Sequence, residues 1–304
     1  MLEMAQIFDG GTKNGPHHEL ARRARLLKGA LSLSGALPAA LLLCVSSAHA
    51  GSLELEGPLE QGALVHGKTE AGAKVALDGR DVRVAPDGSF IFGFGRDAPA
   101  AAKLAVTFAD GTHEERVLAV AARTYDVQRI NGLPQEQVSP DPKLMERIKR
   151  EQVIIDQART VDSDLAFFEQ AFVWPAVGPI SGVYGSQRIL NGEPRAPHAG
   201  LDIAAPRGSP IVAAAGGTVT MAEHDLFFTG GTVIIDHGHG LATTYQHMDS
   251  VAVTVGQDVA AGETIGTVGA TGRVTGPHLH LGLNWYEIRL DPALALGPMP
   301  TAGR

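Results

Sequence analysis

Glycine recurs between short runs of β-branched residues along the C-terminal half of the chain, and this pattern constrains the fold most. From Trp174 onward, glycine turns fall at Gly216-Gly217, Gly230-Gly231 and Gly238. Closely spaced turns leave room for short strands but not for long helices. The pattern predicts a compact all-β domain over residues 172–304, with strands around Val219, Val233, Ile235, Val251, Val253 and Val255.

A second β-rich segment covers residues 51–125. Asp87-Gly88 is typical of a hairpin turn, and the alternating Phe90, Phe92 and Phe94 would place three rings on one face of a strand. The chain contains 37 glycines and only 5% aromatic residues, which suits short strands better than a helical bundle. We predict a small β-sandwich here and interpret it as a spacer or binding module, because it lacks any recognisable set of catalytic residues.

Residues 126–171 are predicted to be a linker that contains one helix. Asn131-Gly132 and nearby prolines interrupt regular structure. Asp141-Pro142 then combines a residue suited to the N-cap with proline at the first helical position. The helix could pack against either domain. Its apolar residues recur at roughly helical spacing at Leu144, Ile148, Ile155 and Ala158.

Residues 1–50 are predicted to be an N-terminal extension with an export signal. Basic residues at 22–28 precede an apolar stretch at 30–45, and Ala48-His49-Ala50 has the small-x-small pattern of a cleavage site. A membrane anchor is the less favoured alternative, because polar residues, glycine and proline interrupt a stretch already short for a membrane span. We therefore expect an exported protein, periplasmic or in the cell envelope, without a stable membrane anchor after signal cleavage.

Cysteine usage and charge exclude two further classes of chemistry. Cys44 is the single cysteine, so a chain cleaved after Ala50 has neither a disulfide nor a thiolate metal ligand. The formal net charge is −8 and no basic patch stands out, so we predict no nucleic-acid partner.

Two short motifs carry the chemistry of a metal site. The first places His198 four residues before Asp202, and the second is the His278-Leu279-His280 run. Imidazole nitrogen and carboxylate oxygen both bind Zn²⁺, and three such ligands leave a fourth position open for catalysis. Glycine and proline around the first motif favour a strand and turn over a helix. In the second motif, residues i and i+2 of a strand share a face, so one histidine can bind metal while the other acts as a base or hydrogen-bond donor.

The remaining histidines are interpreted differently from one another. His247 follows Tyr245 and Gln246 in the third, weaker element, and we favour a catalytic role for it over a core position. His237 and His239 also form an H-x-H pattern, but the surrounding glycines favour a structural turn. His224 is predicted to be solvated.

The segment from about Trp174 to Pro292 closely resembles the lysostaphin- or LytM-type zinc endopeptidases. The resemblance is carried by GSQR at 185–188, PHAGLDIAAPRGSPIVAAAGGTV at 197–219, GGTVIIDHGHGLATTYQHM at 230–248 and VGQDVAAGETIGTVGATGRVTGPHLH at 255–280. Each motif alone is weak evidence for the family, but the two motifs together, in this order and among these glycines, are specific for it. The resemblance implies a two-layer antiparallel β-sheet with a narrow groove over the metal.

The resemblance also assigns roles to individual residues. It implies that His198, Asp202 and His280 bind Zn²⁺ and that His247 and His278 are the catalytic histidines, which activate water or stabilise the oxyanion and protonate the leaving amine. Some members of the family place a tyrosine a few residues before the first ligand, and this sequence has none at 191–197. Tyr184, Arg188 and Arg195 are the nearest alternatives for that role, which stays unassigned.

These features predict a zinc metalloendopeptidase that hydrolyses peptide bonds of peptidoglycan stem peptides or cross-links during cell-wall remodelling. Peptidoglycan peptides would be the substrate, and an envelope regulatory protein is a possible partner. The alternative from another class is a non-catalytic LytM-like module that binds or activates a cell-wall amidase. A secreted protease acting on other proteins is a third hypothesis, because the groove walls and not the metal ligands select the bond.

Overall fold

The computed structural model describes residues 51–132 and 142–300. The predicted export signal within residues 1–50 and the predicted helix cap Asp141 lie outside this part of the chain. Within it, the protein is mainly β with antiparallel sheets, and the predicted fold class is confirmed. None of the helices in the described residues is long and apolar enough to cross a membrane.

The first β-rich region is a sandwich of two small antiparallel sheets. Apolar side chains from both sheets, including Phe90, Phe92 and Phe94, fill the space between them. Ile91 is also buried, so this strand is covered on both faces rather than on the one face that the alternation predicts. The strands are β1 (Leu53–Glu56), β2 (Leu64–Thr69), β3 (Lys74–Leu77), β4 (Arg80–Val82), β5 (Ser89–Gly93), β6 (Ala101–Thr107) and β7 (His113–Ala119). One sheet has the order β1-β2-β5 and the other β4-β3-β6-β7.

The C-terminal region is built on one large antiparallel sheet. Its strands are β9 (Ile180–Gly182), β12 (Gly200–Ala204), β13 (Pro210–Val212), β14 (Gly217–Leu226), β15 (Gly230–Gly238), β16 (Leu241–Val251), β17 (Asp258–Val259), β18 (Thr264–Val268), β19 (His278–Trp285) and β20 (Ile288–Leu290). The main path of the sheet has the order β17-β14-β15-β16-β19-β12-β9, and β13, β18 and β20 pair at its sides.

A third, three-stranded sheet joins the chain that leaves the sandwich to the C-terminal region. Strand β8 (Val127–Ile130) runs parallel to β10 (Gln187–Leu190), and β10 pairs with β11 (Glu193–Pro194) on its other side. This small sheet lies just before His198 in the chain. The predicted linker at 126–171 therefore contributes strand β8, which lies beside the segment that leads to His198.

The predicted linker helix is α1 (Pro142–Arg159), and it packs on the C-terminal sheet. Ile155 and Ala158 enter a core cluster with Met221, Ile234 and Ala242 from strands β14, β15 and β16. This settles the choice that the sequence left open between the two regions. A short 3-10 helix (Phe167–Glu169) and a terminal helix α2 (Pro292–Ala295) complete the described structure.

One continuous core joins the sandwich to the C-terminal sheet. Leu283, Trp285 and Leu290 belong to the same apolar cluster as the phenylalanines of β5. Leu290 packs so closely on Gly93 that a Cβ at Gly93 would lie 2.6 Å from its side chain. The two regions therefore share buried apolar surface, which is the dominant stabilising contribution in folding. The boundaries at 125 and 171 stay predictions.

Candidate metal centre and paired histidines

Strand pairing places Asp202 and His280 directly opposite each other. They are register partners in the antiparallel ladder between β12 and β19, and side chains of such partners lie on the same face. Asp202 Oδ1 lies 2.8 Å from His280 Nδ1. His198 precedes β12, and its Nε2 lies 3.0 Å from both Asp202 Oδ1 and His280 Nδ1. The strand-and-turn interpretation of this motif is thus confirmed.

The protonation pattern of His198 suits a metal ligand. Its Nδ1 donates a hydrogen bond of 3.0 Å to the Val183 carbonyl, so Nε2 carries the lone pair. That lone pair faces a carboxylate oxygen of Asp202, which also only accepts. Two acceptors at this distance repel each other unless a proton or a metal ion lies between them.

The donor set and its spacing fit Zn²⁺. The three candidate ligand atoms all lie within 4.8 Å of one another, and all three residues are buried. Ligand atoms of a tetrahedral zinc ion lie about 3.4 Å apart, given bonds of about 2.0–2.2 Å. The 2.8–3.0 Å triangle is slightly tighter than this and of the right size. Among the residues that the structure describes, His198, Asp202 and His280 therefore form a site that could hold this ion.

Two glycines leave the space that the cluster occupies. A Cβ at Gly182 would lie 2.3 Å from Asp202 Oδ2 and 3.1 Å from His198 Cε1. A Cβ at Gly200 would lie 2.8 Å from His280 Nε2. Because real side chains do not approach this closely, glycine at both positions is a condition for the present arrangement. We did not predict either residue, although Gly200 stands inside the first motif.

Asp202 is held in its charged form. Burial by itself would raise its pKa, but the contacts with His198 and His280 outweigh burial and keep the pKa below its usual range. A buried carboxylate that stays ionised is costly unless a cation or hydrogen bonds compensate it. The electrostatics of the cluster therefore agree with the metal-binding role.

His278 and His247 flank the cluster. His278 Nε2 lies 3.8 Å from Asp202 Oδ1, and the ring centroids of His247 and His278 are 4.9 Å apart. His278 Nδ1 donates to the Gly276 carbonyl at 2.9 Å, and His247 Nδ1 donates to the Thr271 carbonyl at 2.9 Å. Both carbonyls only accept, so the Nε2 of each ring is left as a proton acceptor. The sequence did not predict these two carbonyl partners.

The backbone at His247 is unusual. Its φ is +65°, in the left-handed region that residues other than glycine adopt only uncommonly. Gln246 is the register partner of His280, so regular alternation would turn the next side chain to the opposite, core face. The pairing of β16 shifts register next to this point, at Met248. Such irregularities re-aim side chains beside active sites, and here His247 is brought to the same side as His280.

Burial keeps His247 neutral. Burial first, and then the nearby His280 and His278, lower the pKa of His247 to about 3. The neutral ring is the form that can accept a proton at pH 7.

Tyr184, the tyrosine nearest to His198 in sequence, uses its hydroxyl elsewhere in the structure. Tyr184 is buried, and its hydroxyl donates to the Arg289 carbonyl at 2.7 Å. Arg195 pairs with Glu193, and the side chain of Arg188 is outside the described residues. The position that stabilises an oxyanion therefore stays unassigned, as it is in the sequence.

The second H-x-H pair has a structural role. His237 is fully buried in β15, where its Nδ1 donates to the Gly216 carbonyl and its Nε2 lies 2.8 Å from the Thr243 hydroxyl. The ring of His239 packs on Phe168, with centroids 4.2 Å apart. His224 is exposed, as predicted.

An antiparallel β domain that carries two histidines and one aspartate as a cluster, with two further histidines beside it, has the architecture of a metal-dependent peptidase. The comparisons with known proteins agree. Residues 196–292 match Peptidase family M23. A solved structure from Pseudomonas aeruginosa assigned to peptidase M23 is 30% identical, covers 79% of this chain and 95% of its own, and has a TM-score of 0.61. The chain belongs to peptidase family M23, which is zinc-dependent.

Curated relatives match over shorter lengths. The peptidoglycan DD-endopeptidase ShyA of Vibrio cholerae is 45% identical over 85 residues, which are 28% of this chain and 20% of that protein. The cell division protein DipM of Caulobacter vibrioides is 35% identical over 127 residues, which are 42% of this chain and 20% of that protein. The chain thus spans about a fifth of the length of these relatives.

Proposed function

We propose that the protein is a zinc-dependent endopeptidase that hydrolyses peptide bonds in peptidoglycan stem peptides or their cross-links. The observation that carries this proposal is the convergence of five side chains on one site. His198, Asp202 and His280 supply three ligand atoms, and His247 and His278 stand beside them with their Nδ1 atoms hydrogen-bonded to backbone carbonyls. The relative ShyA is named a peptidoglycan DD-endopeptidase, which supports peptidoglycan as the substrate class.

A single zinc ion would be held by His198, Asp202 and His280. Zn²⁺ bound there supplies Lewis acidity to the reacting carbonyl and water. The carboxylate of Asp202 leaves the loaded site with one net positive charge by formal counting. With the ion bound, that residual charge would favour negative charge on the carbonyl oxygen of the substrate.

His247 and His278 are proposed to move the proton. The fixed Nδ1 hydrogen bonds direct both Nε2 atoms away from the Thr271 and Gly276 carbonyls. One Nε2 accepts a proton from the attacking water as its oxygen bonds to the carbonyl carbon. The same proton is then delivered to the leaving nitrogen when the C–N bond breaks, so the reaction consumes one water and regenerates both histidines.

Location follows from the substrate. We propose an exported protein that works in the periplasm or cell envelope, because peptidoglycan lies there. The matched relatives are cell-wall and cell-division proteins by name, which supports this placement. The apolar stretch at 30–45 is the predicted signal for export.

A digest of cross-linked muropeptides with the purified full chain, read by mass spectrometry, tests the proposal. We expect cleavage at a peptide bond, loss of cleavage with a chelator, and loss in His280→Ala and His247→Ala. His224→Ala removes an exposed histidine and is the matched control, which should cleave like the wild type. Failure of the zinc-loaded wild type to cut any muropeptide, or full activity in His280→Ala, would contradict the proposal.

A further inference from the structure

His198 is held in a different way from the other two proposed metal ligands. Asp202 and His280 are fixed by the ladder between β12 and β19. His198 lies outside that ladder, in the chain between β11 and β12. Its position therefore depends on the segment packed against it.

That segment is residues 183–186, which we call the His198 cradle. The His198 amide donates to the Ser186 carbonyl at 2.9 Å, and the Gly185 amide donates to the His198 carbonyl at 2.8 Å. The Val183 carbonyl accepts the hydrogen bond from His198 Nδ1. The cradle thus fixes both the backbone and the ring orientation of His198.

The cradle is in turn held by residues outside the C-terminal sheet. Arg96 Nε donates to the Gly185 carbonyl at 2.7 Å. The Arg96 guanidinium lies over the ring of Tyr125, 4.5 Å from its centroid, and the Tyr125 hydroxyl donates to the Arg96 carbonyl at 3.3 Å. The two side chains therefore form a joined clamp.

Gly185 is the point where the clamp meets the cradle. Its φ is +79°, and a Cβ there would lie 2.2 Å from the Tyr125 ring. Only glycine combines this backbone conformation with so close an aromatic contact. The carbonyl of Gly185 binds Arg96 and its amide binds His198, so a single residue separates the clamp from the ligand.

We propose that Arg96 and Tyr125 are positioning residues for His198, and that the N-terminal β-rich region is therefore a working part of the metal site. This inference rests on the metal site of the proposed function. It differs from the spacer or binding-module interpretation that the sequence favours. Partners that orient a metal ligand typically change metal affinity by about 10–100-fold when they are lost.

The clamp adjoins other contacts that join the two regions. Tyr125 also meets the ring of Tyr184, and Arg123, which lies over the Tyr125 ring, pairs with Asp291. A control at an inter-region contact outside this group is therefore needed. Arg80 is another arginine that crosses between the regions. It binds Glu287 at 2.6 and 3.1 Å and stacks on Tyr286. Arg80→Ala is therefore a matched control that removes a contact of the same kind without touching the cradle.

The test measures zinc dissociation constants of the full chain by chelator competition in the wild type, Arg96→Ala, Tyr125→Leu and Arg80→Ala. We expect Arg96→Ala and Tyr125→Leu to raise Kd about tenfold and Arg80→Ala to leave it within about twofold. The melting temperatures of the metal-free variants should be similar to that of Arg80→Ala. Excess zinc should restore muropeptide cleavage by Arg96→Ala but not by His247→Ala.

The possible results separate the two proposals. If the wild type binds zinc and the zinc Kd values of Arg96→Ala and Arg80→Ala are equal, the proposed role of Arg96 and Tyr125 is wrong and the metal site stands. A wild type that binds no zinc would overturn the clamp and the metal site together. If Arg96→Ala does not fold, the comparison of Tyr125→Leu with Arg80→Ala decides in the same way.

Discussion

His247 and His278 face each other with ring centroids 4.9 Å apart, although the strand pattern of β16 would turn His247 away. The left-handed backbone at His247 makes this pairing possible. Strained conformations of this kind persist where the surrounding structure enforces them, and they concentrate at functional sites. The backbone conformation of His247 therefore costs free energy of folding, and it holds the ring at the position proposed for proton transfer.

Substitutions at His247 should separate the effect of its backbone strain on stability from the effect of its imidazole on catalysis. His247→Asn is expected to lower muropeptide hydrolysis by about 10²–10⁴-fold, because the proton acceptor is lost while asparagine tolerates the backbone. His247→Val should be less stable than His247→Asn by about 1–2 kcal/mol, because a β-branched residue is unfavourable in the left-handed region. Steady-state kinetics and urea unfolding measure the two effects.

His224→Asn is the control for the His247 substitutions, since it makes the same change at an exposed position. It should keep both activity and stability. Equal stability of the Asn and Val variants at position 247 would show that the backbone there carries no strain.

Gly182→Ala should weaken zinc binding. The added methyl group would lie 2.3 Å from Asp202 Oδ2, so the carboxylate must move away from His198 and His280. We expect Kd for zinc to rise at least about tenfold, comparable to loss of a residue that orients a ligand. Chelator competition on the full chain gives this value.

Gly297→Ala provides the matched comparison, because a Cβ at Gly297 meets nothing within 4 Å. Its zinc affinity should equal that of the wild type. Unchanged affinity in Gly182→Ala would mean that the cluster tolerates a displaced Asp202.

The stability of the metal-free chain should fall as pH is lowered from about 6.5 to about 4. Burial lowers the pKa of His237 from 6.5 to about 4, so in this range the unfolded chain binds a proton that the folded chain does not. Stability therefore rises with pH through the window, by about 1.4 kcal/mol per pH unit for each such proton. Below about 4 the folded state is protonated too, and the contribution of His237 ends.

Urea unfolding at several pH values measures this dependence, with His237→Asn as the comparison. Asparagine does not titrate. The dependence of the unfolding free energy on pH should therefore be shallower in His237→Asn, by an amount that corresponds to at most one proton. His247, whose pKa is lowered to about 3, contributes in the same direction and remains in both proteins. Identical slopes would show that His237 is not protected from protonation in the fold.

Local pattern accounts for much of the candidate site. Glycine turns and β-branched runs predicted the mainly β fold, which is confirmed. The i,i+2 rule on a strand placed His278 and His280 on one face, and the structure brings both to the cluster. These predictions succeed because alternation along a strand is a property of the backbone and needs no knowledge of its neighbours.

Other features depend on contacts between distant residues. The sequence left open where helix α1 packs, and only its contacts with Met221, Ile234 and Ala242 decide it. The turn of His247 toward His280 breaks the alternation that the sequence argument uses. The need for glycine at position 182 is visible only once Asp202 and His198 lie against it.

Residue types alone indicate the kind of chemistry: two histidines and one aspartate whose side chains can bind zinc, and two more histidines that can act as bases. The direction in which those side chains point depends on the folded chain. Asp202 and His280 meet through strand register, whereas His198 depends on a cradle that Arg96 and Tyr125 hold from about 60 to 90 residues away in sequence. Donor identity is a property of single residues, but their orientation is set by packing between segments that only the folded chain brings together.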